Sequence, residues 1–231
     1  MDLWDACREA FRLLFSGDGA LWTIVWISLR VSLIALLIAT PPAVALGFFL
    51  AVSAFPGRRA CVILLQSLLS FPTVVVGLIL FLSLTRQGPF GGLQLLYTQE
   101  AMIIGQALIA FPVLAAFALS AVQGADVRVR ETARTLGASR MQAAWTTLFE
   151  VRFAVVAGVL NGFGRVISEV GCAMMVGGNI LGITRNIPTA ISLETSKGDF
   201  AQGIALGAVL MVFAISANLA LAWVQGRGGM E

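Results

Sequence analysis

The stretch Arg30-VSLIALLIATPPAVALGFFLAVSAFPG-Arg58 holds 27 residues between its two arginines, and none of them is Asp, Glu, Lys or Arg. About 20 apolar residues in a helix cross the roughly 30 Å hydrocarbon core of a bilayer. Pro41 and Pro42 divide the run, but neither half is long enough to cross alone, and membrane helices tolerate proline better than soluble ones do. One bent spanning helix is the expectation.

Three more charge-free runs follow, between Arg59 and Arg86 (26 residues), Glu100 and Asp126 (25) and Asp199 and Arg227 (27). A fifth apolar stretch, Phe153 to about Val176, is interrupted only by Arg165 and Glu169. The expected fold class is an all-α integral membrane protein with about five transmembrane helices. The composition agrees: 58% of the 231 residues are hydrophobic and 12% charged, where soluble domains carry about a quarter charged.

The same composition excludes much chemistry. The chain has no His, which removes Ser-His and Cys-His nucleophile pairs, His-ligated metals and a haem on a proximal His. Cys7, Cys61 and Cys172 are far apart, fit no CxxC spacing or disulfide framework, and read as small apolar fillers. No metal site and no resident cofactor are expected. The net charge of +3 comes from basic residues scattered around the spans, so it reads as membrane topology and not as a nucleic-acid footprint.

Lys and Arg counts in the short loops set the orientation. With the N-terminus outside, Arg58, Arg59, Arg128, Arg130, Arg134, Arg140, Arg152 and Arg227 lie inside, against Arg8, Arg12, Arg86, Arg185 and Lys197 outside. An N-out, C-in topology follows, most strongly from the five arginines between Asp126 and Arg152. Asp2, Asp5, Glu9 and Asp18 argue against a signal peptide in the first residues. Residues 1–20 are expected to form an amphipathic segment lying on the membrane or along a partner chain. Residues 21–225 form the transmembrane domain with a cytoplasmic loop at 126–152, and 226–231 a tail too short for a regulatory domain.

The loop carries the most information. Asp126 can cap a helix running to Leu136, Gly137 can end it in the left-handed conformation, and Ser139 can cap the next helix. This is a helix, a sharp bend and a second helix, with small residues at Thr132, Ala133, Gly137 and Ala138 that allow a partner close; an ordinary surface loop is the alternative.

The stretch Glu131-Thr132-Ala133-Arg134-Thr135-Leu136-Gly137 resembles the EAA loop of ATP-binding-cassette (ABC) importer permeases at Glu131, Ala133 and Gly137. Thr132 departs from that pattern, and Thr147, Phe149 and Glu150 replace its later Ile, Leu and Pro. Ser70-Phe71-Pro72-Thr73-Val74-Val75-Val76-Gly77, Gly164-Arg165-Val166-Ile167-Ser168-Glu169-Val170-Gly171, Val176-Gly177-Gly178-Asn179-Ile180 and Thr184-Arg185 resemble the oxyanion permeases of that group. Glu194-Thr195-Ser196-Lys197-Gly198-Asp199-Phe200 is similar to the tungstate-specific ones.

The resemblance implies a type I importer permease of a bacterial or archaeal inner membrane. It also implies a homodimer of such chains, two cytoplasmic ABC ATPases and an external oxyanion-binding protein. ATP would be used by the partner, since this chain has no Gly-Lys-Ser/Thr phosphate loop and is not expected to be an enzyme. Asp126, Glu131, Ala133, Gly137 and Ser139 would form the ATPase-coupling element. Tungstate would be the cargo, with molybdate or sulfate as alternatives; a passive anion channel or a membrane scaffold is the reading from a different class.

Within the spans, Arg165 and Glu169 are four apart, so on one helix they would share a face and could pair. A structural ion pair and a place on the anion path both remain open. Gly177, Gly178 and Asn179 read as a helix-ending turn or as a gate loop. Arg30, after Trp22 and Trp26, reads as interfacial snorkelling or as substrate contact. Gln66, Gln106, Asn161 and Asn218 are expected to hydrogen-bond between helices. Pro72 and Pro112 are expected to bend the second and third spans, and Glu194 to Asp199 to be a solvated loop or a short interfacial helix.

Overall fold

The structure is a computed structural model that describes residues 3–15 and 19–228. Among the described residues eleven α-helices run in order: α1 Leu3–Phe15, α2 Gly19–Val52, α3 Arg58–Leu69, α4 Thr73–Leu84, α5 Gln99–Gln123, α6 Val127–Thr135, α7 Arg140–Glu150, α8 Arg152–Ile167, α9 Gly171–Gly177, α10 Ile187–Lys197 and α11 Phe200–Gly228. No strand occurs among the described residues.

Gly19–Val52, Gln99–Gln123 and Phe200–Trp223 are each long and apolar enough to cross a membrane; the bent pairs α3–α4 and α7–α8 raise the total to five if each pair is one span. Helix α2 stays helical through Pro41 and Pro42, and α5 through Pro112. The third span is thus a single helix, although Pro112 has no N–H to give the Leu108 carbonyl one turn back.

The second charge-free run is broken, not merely bent. Its halves, α3 and α4, meet at 96°. Pro72 takes φ −64° and ψ 123°, outside the helical region, and no helix continues from Ser70 across Phe71 into it. At 12 residues each, the halves reach about 18 Å, so neither crosses alone.

The fourth span also differs from expectation. Helix α8 ends at Ile167, and α9 begins only at Gly171, so Glu169 lies in the break. The tail expected from residue 226 is helical through Gly228, as the end of α11.

Helices α2 and α5 form the spine, packed through small residues. A Cβ added to Gly47 would stand 2.8 Å from the Ala118 Cβ. Small residues let helix backbones approach where lipid supplies no hydrophobic drive. Helix α8 joins this spine at Gly158, where an added Cβ would meet the Phe117 Cβ at 2.6 Å. Cys172 fills the core between α4, α5 and α9, as a filler should, whereas Cys61 is exposed; the side chain of Cys7 lies outside the described residues.

The outer surface of the bundle is apolar: Leu37, Ile79, Met211 and Leu219 are each more than half exposed. In water this would be a large uncovered patch, whereas in a bilayer it is the ordinary lipid- or protein-facing surface. Helix α1 packs along α11 of its own chain, burying Ala10 and leaving Trp4, Phe11 and Phe15 outward.

Candidate functional site

At the Gln123 end of α5 stands the bent element α6–α7. The Arg128 N–H donates to Asp126 Oδ1 at 2.9 Å, capping α6. Gly137 takes φ +88°, where any side chain would be strained. Around it the Ala138 N–H donates to the Ala133 carbonyl at 3.0 Å and the Gly137 N–H to the Arg134 carbonyl at 3.1 Å. These two bonds are the Schellman pattern that ends a helix sharply. Ser139 opens α7 with a reciprocal capping box: the Gln142 N–H donates to Ser139 Oγ at 3.2 Å, and the Ser139 N–H donates to Gln142 Oε1 at 2.8 Å. Every residue expected to shape the bend does so.

The outward face of α7 is apolar, whereas α6 exposes Arg128, Arg130, Glu131 and Arg134. Leu136, Met141, Trp145 and Phe149 are 65–82% exposed, whereas Ala143 and Thr147 on the opposite face of α7 are buried. Thr132, Ala133 and Ala138 line a shallow cavity between α6 and α7, and Glu131 is exposed. Trp145 is not singled out from sequence and Phe149 enters there only as a departure from the loop pattern, although the spacing of four from Met141 through Trp145 to Phe149 marks one face of a helix that lies outside every charge-free run.

Helix α7 turns into α8 through 63°. At the corner the Arg152 guanidinium lies 4.3 Å from the Phe149 ring centroid and 4.4 Å from that of Phe153, and its Nη1 donates to the Phe149 carbonyl at 2.9 Å. One cation thus bridges the last turn of α7 and the first of α8.

Helix α8 carries Arg165 in its last turn. Arg165, the α3–α4 break (Leu69, Phe71), Ser83 of α4 and Phe111 and Pro112 of α5 line one cavity of about 450 Å³. Phe71 of the first Phe-Pro pair and both residues of the second line it. On its other side Arg165 lines a groove of about 350 Å³ with Asn161 and Asn218.

Arg165 and Glu169 do not pair. Because α8 has stopped, Glu169 turns to the start of α9, where its Oε1 accepts from the Cys172 N–H at 3.0 Å. Free N–H groups at a helix start favour a carboxylate there. Glu169 is buried, at 8% exposure, and lines neither cavity.

Gly177, Gly178 and Asn179 end α9, with Gly178 at φ +68° and Asn179 at +52°. The turn is braced: Thr184 Oγ1 donates to the Gly177 carbonyl at 2.5 Å, and Arg185 Nη2 to the Asn179 carbonyl at 3.4 Å. Arg185 Nη1 lies 3.7 Å from Glu194 Oε1, and Lys197 Nζ donates to the same oxygen at 3.0 Å. Glu194 is 5% exposed, so it is a buried ion-pair centre on α10 and not part of a solvated loop. The Tyr97 N–H donates to the Val176 carbonyl, which fixes this assembly at the N-terminal end of α5. Helix α5, 25 residues and thus about 37 Å long, separates it from the α6–α7 bend.

Arg30 is exposed and lines neither cavity. None of Gln66, Gln106, Asn161 and Asn218 makes an interhelical hydrogen bond among the described residues; Asn218 Nδ2 donates to the Ala214 carbonyl of its own helix.

A polytopic bundle with a capped, exposed hook at one end of α5, a braced turn at the other and an open apolar pocket between defines an integral membrane protein with a surface for a partner outside the bilayer. Residues 43–227 match the family model described as the binding-protein-dependent transport system inner membrane component, and the chain belongs to that family. It is accordingly a multi-pass membrane permease component. The chain is 39% identical to the tungstate uptake system permease protein TupB of Peptoclostridium acidaminophilum, over 94% of this chain and 96% of that one. It is 30% identical to the molybdenum transport system permease protein ModB of Escherichia coli K12, over 77% and 82%. Among solved structures it is similar to an amino acid ABC transporter, with TM-score 0.69 at 15% identity over 94% of this chain and 98% of that one. At that identity the likeness shows the fold alone.

Proposed function

We propose that this chain is the permease of an ATP-driven importer for a tetrahedral oxyanion, tungstate first and molybdate or sulfate next. Two copies would form the pathway, two cytoplasmic ATPases would supply the energy, and an external binding protein would deliver the anion. The relatives' names support the cargo, since tungstate permeases stand at 38–39% identity and sulfate permeases at 26%.

The observation that carries the mechanism is the doubly capped hook. Leu136, Met141, Trp145 and Phe149 hold an apolar face in what the arginine distribution makes the cytoplasm, and an ATPase groove is the partner that covers it. Asp126, Gly137 and Ser139 remove slack from the hook, while Glu131 and Ala133 stand on its docking helix. ATPase motion is then passed through the Arg152 corner into α8, which carries Arg165 at the edge of the open pocket beside the α3–α4 break. ATP is bound and cleaved by the partner, and no cofactor resides in this chain.

The test is reconstitution with the cognate ATPase and binding protein in liposomes. Tungstate should stimulate ATP turnover and accumulate against a gradient. Stimulation by amino acids alone would remove the substrate assignment, and anion flux without nucleotide would favour a passive channel.

A further inference from the structure

The groove between α8 and α11 holds the only three polar side chains among its lining residues, Asn161, Arg165 and Asn218, with small residues Gly164, Ala214 and Ala217 opening the space. A Cβ added to Gly164 meets no atom within 4 Å, so the space beside Arg165 is open. Asn161 and Arg165 are one turn apart on α8 and lie about 14 and 20 Å from its start at Arg152. Asn218 lies about 15 Å from the end of α11 at Gly228. All three side chains are exposed on the single chain, and with Arg152 and Gly228 at the cytoplasmic boundary, where the arginine count puts them, these rises set all three near mid-depth of a core roughly 30 Å thick.

Neither the Arg165 guanidinium nor the Asn161 carboxamide has a hydrogen-bond or ion-pair partner among the described residues. Asn218 spends one N–H on the Ala214 carbonyl and keeps the other. No carboxylate lines the groove. A guanidinium at such depth does not face lipid, and it calls for water or an anion. Its planar fork matches two oxygens of an oxyanion, and the carboxamides add single N–H donors.

We propose that Asn161, Arg165 and Asn218 form an intramembrane station for a tetrahedral oxyanion, resting on the permease reading above. One positive charge per chain against a dianion gives weak binding, which a pathway needs because the anion must leave as readily as it enters. Arg165 also borders the apolar cavity at the α3–α4 break, so the station adjoins the space that helix movement would open or close.

The test uses the full transporter, with permease, ATPase and binding protein, in liposomes, reading tungstate uptake with sulfate as the competing anion. Arg165→Gln should lower uptake at least about tenfold, the worth of one charge-assisted hydrogen bond, with Arg165→Lys restoring part of it. Asn161→Leu and Asn218→Leu should raise the tungstate concentration for half-maximal uptake and shift the tungstate-to-sulfate preference. Undiminished uptake by Arg165→Gln, while the wild type imports tungstate, overturns the station and leaves the permease reading intact. A wild type that imports no oxyanion overturns both. Loss of the dimer in Arg165→Gln on size exclusion would assign the residue to subunit packing and overturn the proposal. A defect seen only with phosphatidylglycerol in the vesicles, and absent in phosphatidylcholine alone, would make a lipid phosphate the ligand and overturn it as well.

Discussion

Gly137 is the residue on which the hook turns. At φ +88° an alanine costs about 1 kcal/mol in backbone strain, although space for its Cβ is free. Gly137→Ala should therefore keep the ATPase bound but weaken it, with a partial loss of co-purification. Gly137→Pro removes both the left-handed conformation and the N–H that bonds the Arg134 carbonyl, and co-purification should fail. Glu194 tests the other end of the molecule. With Arg185 only 14% exposed, Glu194→Gln leaves that cation buried without its counter-charge, a loss of about 3–5 kcal/mol that a thermal melt in detergent would register. The caps at Asp126, Gly137 and Ser139 were legible in the sequence because each depends on residues within five positions of itself. The Glu194 pairing was not, because Arg185 lies nine residues away across a helix start and nothing local specifies that contact.

At the scale of elements, the corner between α7 and α8 is where the proposed coupling passes from the hook into the membrane. Arg152→Ala removes the cation held against two aromatic rings, worth about 0.5–2 kcal/mol at each face. The expected result is ATP turnover that persists with reduced anion uptake per ATP, measured in the same liposomes; an unchanged ratio would remove the corner from the coupling route. Charge-free runs placed the spans well, since the cost of a charge in lipid acts on each residue separately. They could not show direction. The 96° break at Pro72 looks like a bend in sequence because the run continues across it. The break after Ile167 carries no proline or glycine before Gly171; it accompanies a close approach of α9 to α4, where a Cβ on Gly77 would meet the Cys172 Cα at 2.8 Å. A contact between residues so far apart in the chain cannot be read from either segment, and the pairing that Arg165 and Glu169 could make on one continuous helix is lost where α8 stops.

For the whole molecule, the two ends of α5 have different tasks. The Gln99 end carries a braced turn whose ion pairs and hydrogen bonds tie the end of α9 to α10, and the Gln123 end carries the apolar hook. The Asn161, Arg165 and Asn218 groove lies between them, and its polar character emerged only when α8 and α11 were placed side by side. Function then depends on orientation, because an ATP-driven hook works only from the side where ATP is found. The most direct measurement is labelling by a membrane-impermeant thiol reagent in a variant with Cys7, Cys61 and Cys172 replaced and a single cysteine placed at Gln142 or at Leu181, both exposed. Gln142→Cys should react only after the cytoplasmic face is opened, and Leu181→Cys in intact cells. Reaction of Gln142→Cys from outside intact cells would contradict the account, since no cytoplasmic ATPase could then grip the hook.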